Sequence, residues 1–405
     1  MTLEFQKLHH RRRLIGATAA VAAVTAAGLT ASGVAGASAT ASPVLQTLTY
    51  TATGSGGSGS LYHPVGVSAY DGTVYVSNTG ENQVAAVANG STTAVAGSLS
   101  AYGEHGDGGQ AVKASLFHPG GTAEDAKGDI FIVDSGDNVV REVTPNGIIS
   151  RIAGTGIAGL GYAGPSGYPA TLSSLDHPQD VAVNAQGDVF IADTYNNRVV
   201  KVTPQGQVVA VAGDGDAGYS GDGGLGAFAE LNEPTGLALD SQGNLYIADS
   251  ANNVIRRVDA KTGIITTVAG DYAKDKAHDG LGGFSGDGGP ATKAQLDDPQ
   301  GVAVDGAGDL FIADTFNNAI REVTPNGIIS TVVNSAPAGG GAPSPGGESS
   351  GAAPTASRLN TPYDIAIDQS TGTLYIADTN NSEIAEVTGL AQSGDAAGPT
   401  APAQS

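Results

Sequence analysis

The chain has 405 residues and a formal net charge of −22, and it contains 61 Gly and 19 Pro but no Cys and no Trp. The lack of cysteine excludes disulfide bonds, Cys-ligated zinc, iron–sulfur clusters and a thiolate nucleophile. The acidic charge disfavours nucleic acid as a partner, and the abundance of Gly and Pro favours many short strands joined by turns.

Residues 1–39 have the composition of an export signal. Three arginines, Arg11–Arg13, precede a weakly apolar stretch rich in Ala, Thr and Gly, and A-x-A sites end at Ala39 and Ala41. This pattern predicts a signal peptide for the twin-arginine or the general secretory route, not a membrane anchor. We therefore expect a secreted, extracellular protein without membrane insertion.

The rest of the chain is dominated by a repeat. Six copies begin near Leu61, Leu116, Leu175, Leu231, Leu296 and Leu359. The third copy shows the four apolar or β-branched runs of a complete unit, DVAVN, DVFIAD, RVVKVT and QVVAVAG, separated by turn residues. Four short strands in each unit of about 55 to 65 residues are typical of a β-propeller.

The two ends of the repeat array complement each other. The sixth copy stops after EIAEVTGL and lacks a fourth strand, whereas LQTLTYTATG before the first copy alternates like the missing strand. We therefore predict that residues 47–53 complete the last blade and close the ring, which removes exposed sheet edges. The low-complexity residues 335–358 are predicted to be a flexible insert, and residues 391–405 a disordered tail.

The motif L-x-x-P-x-G-[VIL]-A-[VIL]-D-x-x-G-[ND]-[LV]-[YF]-[IV]-[AV]-D-[ST]-x-N-N resembles the NHL repeat family. The resemblance implies an all-β fold for residues 45–390, a six-bladed β-propeller with four strands per blade. The decapeptide REVTPNGIIS occurs at Arg141–Ser150 and again at Arg321–Ser330. In such a ring it would be the hairpin between the third and fourth strands of opposite blades, with TPNG as the turn.

Long connections lead from one copy into the next. Because the strands alternate in direction, these connections emerge on the same face as the ADT-x-NN loops, and that face is expected to bind the ligand. Tyr219 and Phe284, from the G-[YF]-S-G-D-G-G sequences of two connections, belong to it. Asp107, Asp222 and Asp287 are predicted to cap a helical turn; the alternative, a calcium loop, fails the EF-hand spacing.

Two recurring polar positions are further candidates for the ligand-binding face. The aspartate of the ADT-x-NN motif either accepts backbone N–H groups of its own loop or forms a ring of acids that concentrates cations. Its copies are Asp134, Asp193, Asp249, Asp314 and Asp378. Histidine precedes the motif proline in three copies, at His63, His118 and His177. Three imidazoles suit zinc or another divalent metal, but a residue before proline is extended and often faces solvent.

The resemblance also bears on catalysis. Propellers with such repeats include a lyase that matures amidated peptides, whose metal-binding histidines directly follow the motif proline. The residues that follow it here are Val65, Gly120, Gln179, Thr235, Gln300 and Tyr363. We therefore expect a non-catalytic module, without a cofactor, that binds or scaffolds a protein, peptide or cell-envelope ligand. The alternative is a metal-dependent lyase or hydrolase at the mouth of the central channel.

Overall fold

The computed structural model describes residues 43–48, 51–52, 61–98, 105–164, 167–277, 280–333 and 359–390. The predicted signal peptide at 1–39, the predicted flexible insert at 335–358 and the predicted tail at 391–405 lie outside the described residues. Within the described ranges, no helix has both the length and the apolar character needed to cross a membrane.

The described residues form six sheets, one for each repeat. The strands of blades one to three are β3 (Pro64–Tyr70), β4 (Thr73–Asn78), β5 (Gln83–Ala88), β6 (Ser91–Ala96), β7 (Pro119–Glu124), β8 (Ile130–Asp134), β9 (Val139–Val143), β10 (Ile149–Ala153), β12 (Val181–Val183), β13 (Val189–Asp193), β14 (Arg198–Val202) and β15 (Gln207–Ala212). The strands of blades four to six are β16 (Pro234–Leu239), β17 (Leu245–Asp249), β18 (Val254–Val258), β19 (Ile265–Ala269), β20 (Pro299–Val304), β21 (Leu310–Asp314), β22 (Ala319–Val323), β23 (Ile329–Val333), β24 (Pro362–Asp368), β25 (Thr373–Asp378) and β26 (Glu383–Thr388). The predicted six-bladed β-propeller is confirmed.

A few elements lie outside this regular pattern. Strand β1 (Val44–Thr47) belongs to blade six, β2 (Thr51–Ala52) adds to blade one, and β11 (Tyr168–Pro169) adds to blade three. A short α-helix, α1, spans Tyr272–Ala277, and single 3-10 turns follow the second strands and precede the first strands of several blades. The fold is therefore almost entirely β-sheet.

The hydrophobic core is divided among the six junctions between neighbouring blades. The second strands are buried on both faces, as the run IFIVD of β8 shows, so they are continuously apolar rather than alternating. At the junction of blades two and three, Phe131 and Val133 belong to the same buried cluster as Ile191 and Val200. Five similar clusters fill the other junctions, including that between blades six and one.

The N-terminal segment closes the ring, but through a different stretch from the predicted one. Strand β1 pairs antiparallel with β26, and Leu45 lies opposite Val387 as Ile265 lies opposite Val258 in blade four. The predicted residues 47–53 share only Thr47 with β1, since β2 instead pairs in parallel with β6 of blade one. The Leu45 side chain is fully buried, and its burial selects the observed register.

The repeated decapeptide forms the predicted hairpin. In blade two, Val143 pairs with Ile149, and the N–H of Gly147 donates to the carbonyl of Thr144 at 2.7 Å. Gly147 has a φ of +73°, a left-handed conformation that glycine adopts without steric cost. The turn of blade five is the same, with Gly327 at a φ of +76°.

The long connections run along the outer strand of the blade that follows them. Ahead of blade two, the N–H of Gly108 donates to the carbonyl of Ile149, and the N–H of Ile149 donates to the carbonyl of Gly109. Equivalent pairs of bonds join Gly223 and Gly224 to Ile265, and Gly288 and Gly289 to Ile329. Much of each connection thus covers a sheet edge that would otherwise be open.

The prediction that Asp107, Asp222 and Asp287 cap a helical turn is wrong. The 3-10 turns that follow them have no side-chain cap hydrogen bond. Each aspartate instead accepts a hydrogen bond from an arginine of the third strand. The pairs are Asp107–Arg141, Asp222–Arg256 and Asp287–Arg321, at 2.7, 2.8 and 2.7 Å. These arginine side chains are fully buried, and a buried charge requires a partner of opposite sign.

Candidate functional site

The aspartates of the ADT-x-NN motif hold the segment that enters their own blade. The Oδ1 atom of Asp249 accepts the backbone N–H of Asn232 at 2.7 Å, and its Oδ2 atom lies 3.3 Å from a guanidinium nitrogen of Arg256. The equivalent aspartates Asp134, Asp193, Asp314 and Asp378 accept the same kind of N–H at 2.7–2.8 Å. All five side chains are fully buried, so the structure places them beneath the surface rather than on it.

The bonds to these aspartates differ from the expected ones in their donors. The backbone N–H groups come from the start of the blade, 17 or 18 residues earlier, and the ADT-x-NN loop supplies side-chain amide donors instead, such as Asn252 and Asn317. Burial raises the pKa of Asp314 to about 6, although the positive charge of Arg321 lowers it. A carboxylate enclosed in this way contributes to the blade rather than to a ligand surface.

The other polar residues of the motif connect each blade to the next. The hydroxyl of Thr194 donates to the carbonyl of Pro234 at 2.8 Å, and that of Thr379 donates to Pro64 across the closing junction. The asparagine after the 3-10 turn takes the predicted left-handed conformation, with φ between 51° and 56° at Asn138, Asn197, Asn253 and Asn318. The repetition of this motif in every blade therefore has a structural cause.

The three candidate histidines share a backbone role. They have φ values of 45° to 51°, which is the left-handed region. The prediction that these residues are extended because they precede proline is therefore wrong. The N–H of His118 donates to Oδ1 of Asn82, and the N–H of His177 donates to Oδ1 of Asn138. Glu233, Asp298 and Thr361 make the same bond between consecutive blades and also have positive φ values, so the conformation occurs whichever residue is present.

The structure does not bring the three imidazoles together as a metal site. Among the residues that are described, no three His, Cys, Asp or Glu side chains are arranged to hold a metal ion. The rings of His63 and His118 pack edge-on against Tyr62 and Phe117, and Nδ1 of His177 lies 3.0 Å from a carboxylate oxygen of Asp176. Burial, followed by the charge of His177, lowers the pKa of His118.

Tyr219 and Phe284 lie on the outer side of their blades. The guanidinium of Arg256 lies 4.8 Å from the ring centre of Tyr219, and that of Arg321 lies 4.6 Å from the ring centre of Phe284. The hydroxyl of Tyr219 also bonds to the hydroxyl of Thr267 at 2.7 Å. Both rings therefore cover a buried arginine, which stabilises the connection against the sheet.

The connection ahead of blade three lacks the Asp–Arg pair that occurs in blades two, four and five. Residues 155–174 contain no charged residue, and blade three has Val200 where blades two, four and five have the paired arginine. Instead, Arg198 donates from its guanidinium to the carbonyl of Gly161 at 2.7 Å. This connection exposes large apolar side chains to solvent. They are Ile157, Leu160, Tyr162 and Leu172, with 72%, 64%, 61% and 62% of their surface exposed.

The first strands of the six blades line a central channel. Its wall includes Ser68 and Glu124 from blades one and two, Asp180 from blade three and Asp364 from blade six. Burial raises the pKa of Glu124 to about 7, while the hydroxyl of Ser68, which donates to it at 2.8 Å, lowers it. The described residues that line this part of the channel and the small cavity beside it include no lysine, arginine or histidine, so the three carboxyl groups lack a basic partner in that lining.

Asp180 and Asp364 occupy equivalent positions in opposite blades. The Oδ2 atom of Asp180 accepts the N–H of Leu237 in blade four, and that of Asp364 accepts the N–H of Val67 in blade one. Burial and then the charge of Asp364 raise the pKa of Asp180, and burial raises the pKa of Asp364 to about 7. Sequence reasoning missed this pair, although the signal was present: aspartate replaces the glycine of the P-x-G motif in copies three and six.

The channel narrows where the residues after the motif proline meet. The hydroxyl of Tyr363 lies 3.5 Å from Oε1 of Gln179, so side chains of opposite blades meet across the axis. Gln300 lines the same small cavity as Asp180 and Asp364. Its amide nitrogen donates to Asp298 at 2.8 Å, whereas its Oε1 atom is buried without a hydrogen-bond partner in the described part of the chain.

Comparison with known sequences identifies the family to which these repeats belong. A sequence model of the teneurin NHL domain matches residues 67–161, 208–279 and 282–381, and one of the NHL repeat matches residues 175–209. The chain belongs to the teneurin NHL domain family. Teneurin-4 of Mus musculus is 34% identical to this NHL domain over 241 residues, which are 55% of this chain and 8% of teneurin-4. The matched region thus spans about 8% of the length of that relative.

Solved structures share the fold of the NHL domain at low sequence identity. An auxiliary nutrient binding protein from Bacteroides ovatus matches with a TM-score of 0.58 and 14% identity, over 86% of this chain and 76% of that one. A gluconolactonase from Xanthomonas campestris matches with a TM-score of 0.51 and 15% identity, over 85% and 89% of the two chains. These similarities concern the propeller fold alone.

Proposed function

We propose that this NHL domain is a secreted, non-catalytic module that binds a protein ligand through the connection at residues 155–174. The observation that carries the proposal is an uncharged segment with four exposed large apolar side chains in a chain of net charge −22. The cores of protein interfaces are depleted of charged residues and enriched in aromatic ones. Several large apolar side chains exposed on one uncharged segment are typical of an interaction site.

Hydrogen bonds hold the described backbone of this connection, at residues 155–164 and 167–174, which favours binding. The N–H groups of Gly159 and Gly161 donate to the carbonyls of Leu175 and Ser174, and the hydroxyl of Ser173 donates to the carbonyl of Tyr162. The rings of Tyr162 and Tyr168 pack edge-on with their centres 5.6 Å apart. A surface ordered before binding loses less conformational entropy when the ligand docks.

The other connections serve as a comparison within the same chain. Those ahead of blades two, four and five carry the Asp–Arg pairs and cover their outer strands. The connection ahead of blade three lacks that carboxylate and any other charged residue, whereas the connection ahead of blade four, which exposes Leu225 and Phe228, also carries three aspartates. The difference is explained when this connection carries the ligand contacts while the others complete the scaffold.

Site-specific photo-crosslinking tests the proposal. A photoreactive amino acid at position 160 of the full chain, expressed in the producing cells, should form a discrete crosslinked species with one protein. The same group at position 281 is the matched control, because Leu281 is similarly exposed, at 55%, on a different connection. Equal crosslinking from both positions, or none from position 160, would contradict the assignment of the surface.

The alternative of a metal-dependent lyase or hydrolase has its own test. Metal analysis of the purified protein distinguishes it from the binding module. A stoichiometric transition metal that is lost in the His118→Ala variant would support the enzyme. Such a result would also contradict a module that works by surface binding alone.

A further inference from the structure

The mouth of the central channel holds two carboxylates without a basic neighbour. Asp180 and Asp364 line both the channel and the small cavity at its mouth, and neither wall contains a lysine, arginine or histidine among the described residues. Elsewhere in the molecule, four of the five buried motif aspartates lie within 3.4 Å of an arginine nitrogen. An enclosed charge that lacks such a partner is costly.

A second observation at the same place points to a ligand. Gln300 is only 9% exposed, and its Oε1 atom has no hydrogen-bond partner in the described residues. Its amide nitrogen is already engaged by Asp298, which fixes the orientation of the amide group. Buried carbonyl oxygens are otherwise nearly always satisfied, and this one lines the same small cavity as the two carboxylates, where a cation would satisfy all three groups.

We propose that the channel mouth binds one divalent cation of the calcium type between the carboxylates of Asp180 and Asp364, with Oε1 of Gln300 as a further ligand. The donors are all hard oxygens, which suit Ca²⁺ or Mg²⁺ and not zinc or copper. Two carboxylates balance the charge of one divalent ion. Ca²⁺ fits better than Mg²⁺, because it accepts irregular geometry with water in the remaining positions, whereas Mg²⁺ demands a near-ideal octahedron.

The packing of neighbouring blades accommodates the carboxylates of Asp180 and Asp364. A Cβ atom on Gly121 of blade two would collide with Oδ1 of Asp180, so only glycine leaves room for the carboxylate. Each aspartate also bonds to the blade that follows it, at Leu237 and at Val67. A cation held by both would therefore connect blades three and four to blades six and one, including the junction where the ring closes.

Terbium luminescence provides a direct test on the full-length protein. Terbium replaces calcium at oxygen sites and emits when a nearby tyrosine is excited, and the chain has no tryptophan to interfere. Tyr363 lines the cavity and is the expected sensitiser. We expect emission that added Ca²⁺ displaces, together with a higher melting temperature of the chelator-treated protein when Ca²⁺ is restored.

Four variants test the assignment of the ligands. The Asp180→Asn/Asp364→Asn variant should lose the displaceable emission and the calcium-dependent rise in melting temperature. If this double variant does not fold, the single Asp364→Asn variant should weaken Ca²⁺ binding about tenfold or more. Tyr363→Phe should lose most of the emission but keep the rise. Asp214→Asn/Asp216→Asn, at two exposed carboxylates, should behave like wild type. Unchanged calcium binding in the Asp364→Asn variant, or no calcium response in the wild type, would overturn the proposal.

Discussion

Asp222 and Arg256 are 34 residues apart in sequence, and their carboxylate and guanidinium lie 2.8 Å apart. Arg256 is fully buried and also lies 3.3 Å from Asp249, so one guanidinium joins the connection to the blade interior. The Asp222→Ala variant should lower the free energy of unfolding by about 1–3 kcal/mol, since it weakens the compensation of a buried charge. Urea denaturation measures this change.

The neighbouring Asp216 provides the control for that variant. It lies in the same connection, is exposed, and has no ion pair with an arginine among the described residues. Asp216→Ala should change the free energy of unfolding by less than about 0.5 kcal/mol. Equal losses in the two variants would mean that the Asp222–Arg256 pair has no special role.

Ring closure depends on Leu45. Its side chain is fully buried between blades five and six, whereas that of the adjacent Val44 is 40% exposed. Leu45→Ala should lower the free energy of unfolding by about 2–5 kcal/mol, and Val44→Ala by less than about 1 kcal/mol. Thermal unfolding followed by circular dichroism distinguishes them. If Leu45→Ala melts like wild type, β1 does not contribute to closure.

The junction hydroxyls should stabilise the ring individually. The hydroxyl of Thr315 donates to the carbonyl of Pro362 in the next blade at 2.8 Å, while the buried hydroxyl of Thr331 has no partner among the described residues. Thr315→Val should therefore cost about 1–2 kcal/mol, and Thr331→Val should be neutral or slightly stabilising. Denaturant midpoints of the two isosteric variants measure the difference, and a larger loss in Thr331→Val would refute this interpretation.

Glu124 makes stability depend on pH. Burial raises its pKa to about 7 in the folded protein, so the folded state binds this proton more tightly than the unfolded state does. The stabilisation is complete below the unfolded pKa and is lost as pH rises through 7. The decrease in unfolding free energy from pH 5 to pH 8 should be smaller in Glu124→Gln, by about 1–2 kcal/mol. Identical decreases in the two proteins would show that Glu124 does not titrate there.

Much of the fold was predictable because each blade repeats the same local solution. The spacing of strands, the TPNG hairpin and the left-handed asparagines follow from residues close together in sequence. By contrast, Asp107 and Arg141 lie 34 residues apart in sequence. Their ion pair therefore depends on the path of the connection over the outer strand. One signal for it exists: the aspartate and the arginine occur together in copies two, four and five, and both are missing from copy three.

The channel carboxylates were harder to predict for a geometric reason. Asp180 and Asp364 are 184 residues apart, and they face a common cavity only because equivalent positions of all blades converge on the axis. Their replacement of the motif glycine looks like ordinary variation until the ring is assembled. The position of β1 was mispredicted because LQTLTYTATG alternates throughout, and only the burial of Leu45 fixes the register.

The function proposed for this NHL domain depends on binding of a protein ligand by the connection at residues 155–174. Its most direct measurement is the amount of partner protein that the Ile157→Asp/Leu160→Asp variant retains after chemical crosslinking in the producing cells, compared with Leu281→Asp. Both variants place charge on exposed apolar positions and should fold like wild type. We expect the double variant to lose at least about nine-tenths of the partner that Leu281→Asp retains. Equal retention by the two variants would contradict the account.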